Sequence, residues 1–411
     1  MTARLLADVD TGIDDACALL HLVGAHRLGV GPELAAVTTT GGNATARDCA
    51  LNTAAVLDLA GRADVEVAVG AETPLRRPAV TTPETHGDGG LGHARIVRHP
   101  ERLSPRPAVD VWLDELRAHP GETTILCTAP LTNLALALRA EPRLPFLARG
   151  VVIMGGSFYH PGNTTPTAEW NTWVDPDAAK EVFAAFEGLP EDRLPIVCAL
   201  ETTERIEYTP ALLDGLLADA GARPVGWSAD RPRVAGPDAA TGSPVLDVLA
   251  DALRFYFEFH HDYDQGYIAH LHDLFAAQVA AGQARIATRA TVVDVEADSE
   301  LLRGTTVHDT RDIWGRRPNA RLVTANDPAE VFAAFARAVG AVVGPDEPSR
   351  VERVLDRLAD AGLLGGADAK ARLRKARGRV ITGAIERGIA ASALTVTRPG
   401  AWAPSRVDLE G

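Results

Sequence analysis

The chain has 411 residues, 46% of them hydrophobic and 23% charged, the balance of an ordinary globular protein. Its net charge of −14 argues against general nucleic-acid binding, and it has no apolar run of about 18 residues that would span a membrane. Cys17, Cys49, Cys127 and Cys198 lie apart inside apolar segments and read as reduced core thiols. The N-terminus enters a strand almost at once, leaving no room for a signal peptide. A cytoplasmic location is therefore expected.

The first strand is the apolar run Leu5-Leu6-Ala7, which leads into Asp8-Val9-Asp10-Thr11-Gly12-Ile13-Asp14-Asp15. Ala16 to Leu22 continues at helical spacing, placing Asp14 and Asp15 in a first helical turn. Asp at a helix start is a common cap. Asp8 and Asp10, however, share one face of a strand, and four clustered carboxylates raise one another's pKa unless a cation neutralises them. The spacing predicts a divalent-metal site at the carboxyl end of a strand, where open α/β sheets bind ligands.

Leu34 to Thr40 is a second strand, closed by Gly41-Gly42-Asn43, and a helix runs from about Ala44 to Leu59. Val65 to Val69 is a third strand. The stretch from Thr73 to Pro107 is rich in Pro, Gly, His and Arg and reads as a long functional loop carrying His86-Gly87-Asp88-Gly89-Gly90-Leu91-Gly92. Val109–His119 and Leu131–Leu138 are expected helices, with a strand at Thr124–Cys127 and Thr128-Ala129-Pro130 between strand and second helix. Val151–Met154 and Leu194–Leu200 are further strands, separated by Asn163, Glu169, Trp170, Asn171, Trp173 and a helix from Asp177 to Phe186.

Residues 221–244 read as a loop or flexible insertion. Leu246–Tyr263 is a helix with an aromatic stripe, Phe255, Tyr256, Phe259 and Tyr263, a pattern that more often packs into a core than stacks on a ligand. Leu271-His272-Asp273 opens another helix. Ala290–Val295 and Arg321–Thr324 are late strands, and Ala329–Val339 is a helix. The alternation predicts an α/β fold: an open, mostly parallel, doubly wound (Rossmann-like) sheet flanked by helices. Residues 1–344 form the expected catalytic domain. Residues 345–411 form a C-terminal helical extension, basic between Arg350 and Arg398, where eleven Lys or Arg face five Asp or Glu. Packing on the same chain or a sister subunit is its expected role, ahead of docking an acidic partner.

Taken together, the motifs resemble the inosine–uridine-preferring nucleoside hydrolase family. Asp8 to Ala16 is similar to its DxDPGxDDA opening, with Thr11 in place of Pro. Thr38 to Asn43, His86 to Gly92, and Thr128 to Asn133 (Ala129 standing for Gly) resemble its next three segments. Met154-Gly155-Gly156, Asn163, Glu169-Trp170-Asn171 and Asp175-Pro176 resemble the following block, and Leu271-His272-Asp273 the late HD pair. Trp314-Gly315 to Asn319-Ala320 resembles the closing strand region, so roughly residues 4 to 340 are covered in order.

The resemblance implies hydrolysis of the N-glycosidic bond of ribonucleosides, purine or pyrimidine, to ribose and free base. It also implies one Ca²⁺, held by Asp10, Asp15, Asp273 and the Thr128 carbonyl, a hard oxygen set suited to that ion. Asp10 would double as general base toward the attacking water. Asp14, Asn43, Asn163, Glu169, Asn171 and Asp273 would hold the ribose, and Asp8 would orient its neighbours. His272 would protonate the leaving base, with His86 a second candidate. Trp170, Tyr256 and Tyr263, with His86, would line the base pocket. A homodimer or homotetramer is the implied assembly.

Two other readings compete. The Asp8-Val9-Asp10-Thr11 start also resembles haloacid dehalogenase-like phosphatases, but that chemistry wants a Lys near a later strand, and the one lysine before residue 370 is Lys180 in a helix. A non-catalytic Ca²⁺- and ribose-binding protein, or a hydrolase of another ribosyl compound, is the second.

Overall fold

In the computed structural model, residues 3–344 are described. The strand β1 (Arg4–Val9) enters a nine-stranded sheet, followed by helix α1 (Ile13–Arg27), β2 (Glu33–Thr39), helix α2 (Ala46–Leu59), β3 (Glu66–Val69) and β4 (Leu103–Ser104). The chain then returns through β5 (Thr123–Cys127), β6 (Gly150–Met154) and β7 (Ile196–Cys198). In space the order is Ala287–Thr291, Ala320–Ala325, β7, β6, β5, β1, β2, β3, β4. All neighbours pair in parallel except the two late strands, which pair antiparallel with each other. The expected doubly wound fold is what the chain forms.

Successive side chains of a strand point to opposite faces, and β1 shows how this builds two cores. Leu5, Ala7 and Val9 enter one cluster and Leu6 the other. Helix α1 is buried from Ile13 to Ala25, enclosed by the sheet, the helix His272–Ala280 and the helix Pro328–Val343. A helix that is apolar on all sides belongs in a core. Its N-terminus is thereby fixed against the sheet. The strand order reverses between β1 and β5, so their carboxyl ends open a crevice at a topological switch point.

Several boundaries differ from expectation. The run read as one strand over 290–295 breaks at Val292: Ala287–Thr291 stays in the main sheet, while Val293–Val295 pairs with Thr306–His308. The strand expected to reach Leu200 ends at Cys198, because Leu200 opens a short helix, its amide donating to the Gly156 carbonyl. The segment before the long helix Pro244–Asp262 is irregular but anchored. Trp227 is buried there beneath the guanidinium groups of Arg231 (4.3 Å) and Arg254 (5.1 Å). All four cysteines are buried and free. Among the described residues no helix is long and apolar enough to cross a membrane. The C-terminal helical extension expected from residue 345 lies outside the described residues.

Candidate active site

The carboxyl ends of β1 and β5, the first turn of α1 and the start of the helix His272–Ala280 converge on a cavity of about 520 Å³. Asp8 and Asp10 diverge in role here. Asp8 accepts from Thr38 Oγ1 (2.6 Å), Asn133 Nδ2 (2.8 Å) and Thr40 Oγ1 (3.0 Å), while the Trp112 indole donates to Thr38 Oγ1 (2.8 Å). Its carboxyl is a clasp joining β1, β2 and the turn after β5. Burial pushes its pKa up to about 6 despite those three donors.

Asp10 is tied at Oδ2 to the Asn43 amide (2.8 Å). The turn that delivers this amide passes so close that a Cβ on Gly42 would lie 2.1 Å from Asp10 Oδ2. Only glycine fits there. Asp15 caps the start of α1: Oδ2 accepts the Gly12 amide (3.0 Å) and Oδ1 the Thr128 hydroxyl (2.7 Å). Asp14 Oδ2 accepts the Asp273 amide at 3.4 Å. One carboxylate oxygen each from Asp14, Asp15 and Asp273 lies within 4.8 Å of the other two. Asp10 is buried beside them but turned toward Asn43.

Burial lifts all four acids, and repulsion from neighbouring carboxylates adds to it at Asp10, Asp15 and Asp273, whereas at Asp14 hydrogen bonds offset part of the rise. Asp14 rises to about 6 and Asp15 to about 7, and Asp10 and Asp273 stand well above the usual carboxylate range. No Lys or Arg is among the residues lining the cavity. Buried carboxylates without a counter-charge are a strong cation-binding set, and an all-oxygen donor set suits Ca²⁺ or Mg²⁺ rather than a softer metal. The residues therefore fit a divalent ion. The Thr128 carbonyl, at the end of β5, accepts from Asn171 Nδ2 (2.8 Å).

The other residues singled out from the sequence meet in the same cavity. Asn43, Asn163, Glu169, Asn171, Trp170, Tyr256, Tyr263, His86 and His272 all line it, with Asp10, Asp14, Thr128 and Asp273; Asp15 sits behind its wall. Glu169 caps the helix Trp170–Val174, its two oxygens taking the amides of Asn171, Thr172 and Gly156 at 2.7–3.0 Å. Asn163 Oδ1 accepts the Trp170 amide (3.0 Å). Trp170 stacks on Trp173 (5.7 Å), which carries the Arg303 guanidinium on its ring.

His86 belongs to the stretch read as a long loop, yet it is packed into the fold. It is buried at the end of a short helix, Pro83–His86, and its Nδ1 accepts the Ile13 amide (3.2 Å) at the start of α1. A donor at Nδ1 fixes the proton of the neutral ring on Nε2. Burial, with His260 nearby, lowers its pKa to about 3. His272 is likewise buried, with Nδ1 at 2.9 Å from Thr203 Oγ1, and burial among His270, His260 and His86 pushes it well below the ordinary imidazole range. Tyr256 is buried against His86 (5.4 Å between ring centres), whereas Tyr263 is 60% exposed and stands at the rim.

Sequence reasoning passed over His260, His270, His160 and Glu204, and read Phe259 only as part of an aromatic stripe that favours the core; all five also line the cavity. A signal existed for two of them. His260 lies one helical turn after Tyr256, and His270 two residues before His272. Lys180, the residue the phosphatase reading would need, pairs with Asp294 and the Val295 carbonyl and does not line the cavity.

Residues 5–333 match the family model described as inosine–uridine preferring nucleoside hydrolase. The chain is 32% identical over 329 residues to the pyrimidine-specific ribonucleoside hydrolase RihA of Citrobacter koseri, covering 80% of this chain and 95% of that protein. A plant nucleoside hydrolase superposes over 83% of this chain and all of its own length, with a TM-score of 0.67 and 26% identity. The purine-preferring ribonucleoside hydrolase of Gardnerella vaginalis shares the fold, with a TM-score of 0.70 at 23% identity over 83% of this chain and 99% of its own.

Proposed function

The chain belongs to the inosine–uridine preferring nucleoside hydrolase family and is a nucleoside N-ribohydrolase; we propose that it uses a Ca²⁺ ion and Asp10 to direct water onto C1′ of a bound ribonucleoside. The observation that carries this reading is the group of buried, uncompensated acids, Asp10, Asp14, Asp15 and Asp273, at the sheet's switch point. The ion, held by Asp10, Asp15, Asp273 and the Thr128 carbonyl, would neutralise these acids, orient the ribose diol and acidify a water.

In this reading Asp14, Asn43, Asn163, Glu169, Asn171 and Asp273 hold the sugar hydroxyls. Asp10 takes a proton from the attacking water as the C1′–O bond forms. The C1′–N bond breaks toward the base, through a sugar that carries oxocarbenium character and is stabilised by the surrounding carboxylates. The base lies between His86, Trp170 and Tyr256, with Tyr263 at the rim. The electron pair left on the base needs a hydrogen bond and then a proton: His272 supplies the hydrogen bond, and the proton that Asp10 takes from water returns to the base through solvent. The neutral ring of His272 still offers one N–H to the departing nitrogen or oxygen.

A reducing-sugar assay over inosine, adenosine, guanosine, uridine and cytidine tests the reading: ribose release from at least one, abolished by chelator, is expected. No release from any of them in the presence of Ca²⁺ would falsify it. His272→Ala tests the leaving-group role. It should lower kcat/KM on inosine by about 10²–10³, the usual cost of removing one hydrogen-bond donor from a developing charge, yet cost only about fivefold on a nitrophenyl riboside, whose leaving group is stable without it. Equal losses on both substrates would remove His272 from that role.

A further inference from the structure

A second cavity, of about 420 Å³, adjoins the first, and Glu84, Phe259 and Tyr263 line both. Residues 256, 259 and 263 share one face of the long helix because they are spaced three and four apart. Their rings form a continuous ramp: His86 to Tyr256 5.4 Å, Tyr256 to Phe259 6.2 Å, and Phe259 to Tyr263 4.8 Å. Exposure rises along it, from 4% at Tyr256 to 60% at Tyr263. Aromatic faces that step from a buried pocket to its rim are suited to holding a flat or apolar group along the way.

The far wall of this annex is built rather than incidental. Phe255 stands edge-on to His93 (5.0 Å), and His93 is paired with Glu258 (2.8 Å). Arg233 pairs with Asp262 and comes from the irregular segment that no family motif covered. That segment is fastened to the long helix by buried groups. The Arg254 guanidinium donates to the Val234 (3.0 Å) and Gly236 carbonyls, and Asp251 accepts the amides of Asp238 (2.8 Å) and Ala239 (3.0 Å). Three carboxylates, Glu84, Glu258 and Asp262, here outnumber the one guanidinium.

We propose that the annex receives a substituent on the leaving base, so that the chain prefers ribonucleosides whose base bears an uncharged or cationic aromatic or alkyl group on its exocyclic amine. The inference rests on the nucleoside hydrolase reading, which sets the ribose at the acids and the base beside Tyr256. A substituent pointing away from the sugar then leaves the first cavity over the edge that Glu84, Phe259 and Tyr263 share with the second. Anionic substituents meet the acidic rim and are disfavoured.

The test uses the full chain with Ca²⁺ and follows base release from adenosine and N6-benzyladenosine, and from cytidine and N4-benzylcytidine. In at least one pair the benzylated compound should have kcat/KM about fivefold to tenfold higher, the size of one aromatic contact. A carboxylate on the benzyl ring should cancel the gain. Phe255→Ala should lower the benzylated value about tenfold and hold the parent nucleoside within about twofold. If that variant melts below the assay temperature, Arg233→Trp, at an exposed position, narrows the annex instead. Parent nucleosides turned over with no gain on benzylation, or equal losses in the variants, overturn the annex alone. No release from any of the four compounds overturns the hydrolase reading and the annex with it.

Discussion

Replacing Asp10 by Asn is expected to reduce kcat by about 10²–10⁴, the contribution of a positioned general base, while leaving the fold intact. The side chains are nearly the same size, and the amide oxygen of Asn can still accept the Asn43 N–H that Asp10 Oδ2 takes at 2.8 Å. The turn around Gly42 therefore has no reason to move. What Asn cannot do is accept a proton from water. Thermal melting in chelator should show a Tm equal to or above that of the parent under the same conditions, since a buried acid that repels Asp273 is gone. The assay is run at saturating Ca²⁺, because Asp10 is proposed both as ligand and as base. Turnover restored to within tenfold by extra Ca²⁺ would make Asp10 a ligand only. Turnover that stays low at every Ca²⁺ concentration assigns it the base.

The acid cluster and the sheet were both legible because each follows from local rules. Short apolar runs bounded by Gly, alternating with helical periodicity, are enough to give β1 to β3 and β5 to β7 their order along the chain, whereas the two-residue β4 fell inside the stretch read as a loop. The four acids at Asp8 to Asp15 announce a charge problem without any alignment. What sequence alone could not do was divide them. Asp8 is neutralised by hydroxyls and an amide from residues 30, 32 and 125 positions away, contacts that no spacing encodes. Thr128 and Asp273 were reached only through the family resemblance, since they sit at the ends of distant elements.

The base end of the cavity was less legible for a different reason. An aromatic stripe at helical spacing is compatible with a core and with a ligand pocket alike. In the long helix it serves both: Phe257 is fully buried in the core, while Tyr256, Phe259 and Tyr263 line the cavity. His260 was missed although it lies one helical turn after Tyr256, because a histidine beside an aromatic stripe reads as part of the same packing face. The anchoring of residues 221–243 was invisible for another cause. Trp227 is held by two guanidinium groups, one of them on another element, and a segment rich in Pro, Gly and Asp shows no period at all.

Removing the cation should destabilise the protein most at alkaline pH and least in acid. In the metal-free fold, Asp14 and Asp15 titrate at about 6 and about 7, and Asp10 and Asp273 well above the ordinary carboxylate range, whereas an unfolded Asp titrates near 3.9. The folded form thus binds protons more tightly than the unfolded chain. The sign follows by linkage: this contribution is fully present below about pH 4 and is lost as pH rises through the folded values. A bound divalent ion takes the place of those protons, and its affinity falls in acid because protons compete for the same oxygens. The buried imidazoles of His86 and His272 contribute with the opposite sign, but equally with and without the ion, so they cancel in the difference. Melting with Ca²⁺ and with chelator should therefore separate by roughly 5–10 °C at pH 8 and by less than about 2 °C at pH 5. A chelator-induced loss as large at pH 5 as at pH 8 would mean that the acids are not the cation's ligands. Restoration of Tm and turnover by Ca²⁺ at lower concentration than by Mg²⁺ would identify the ion, because three buried carboxylates with a backbone carbonyl replace much of the hydration shell that Mg²⁺ gives up reluctantly.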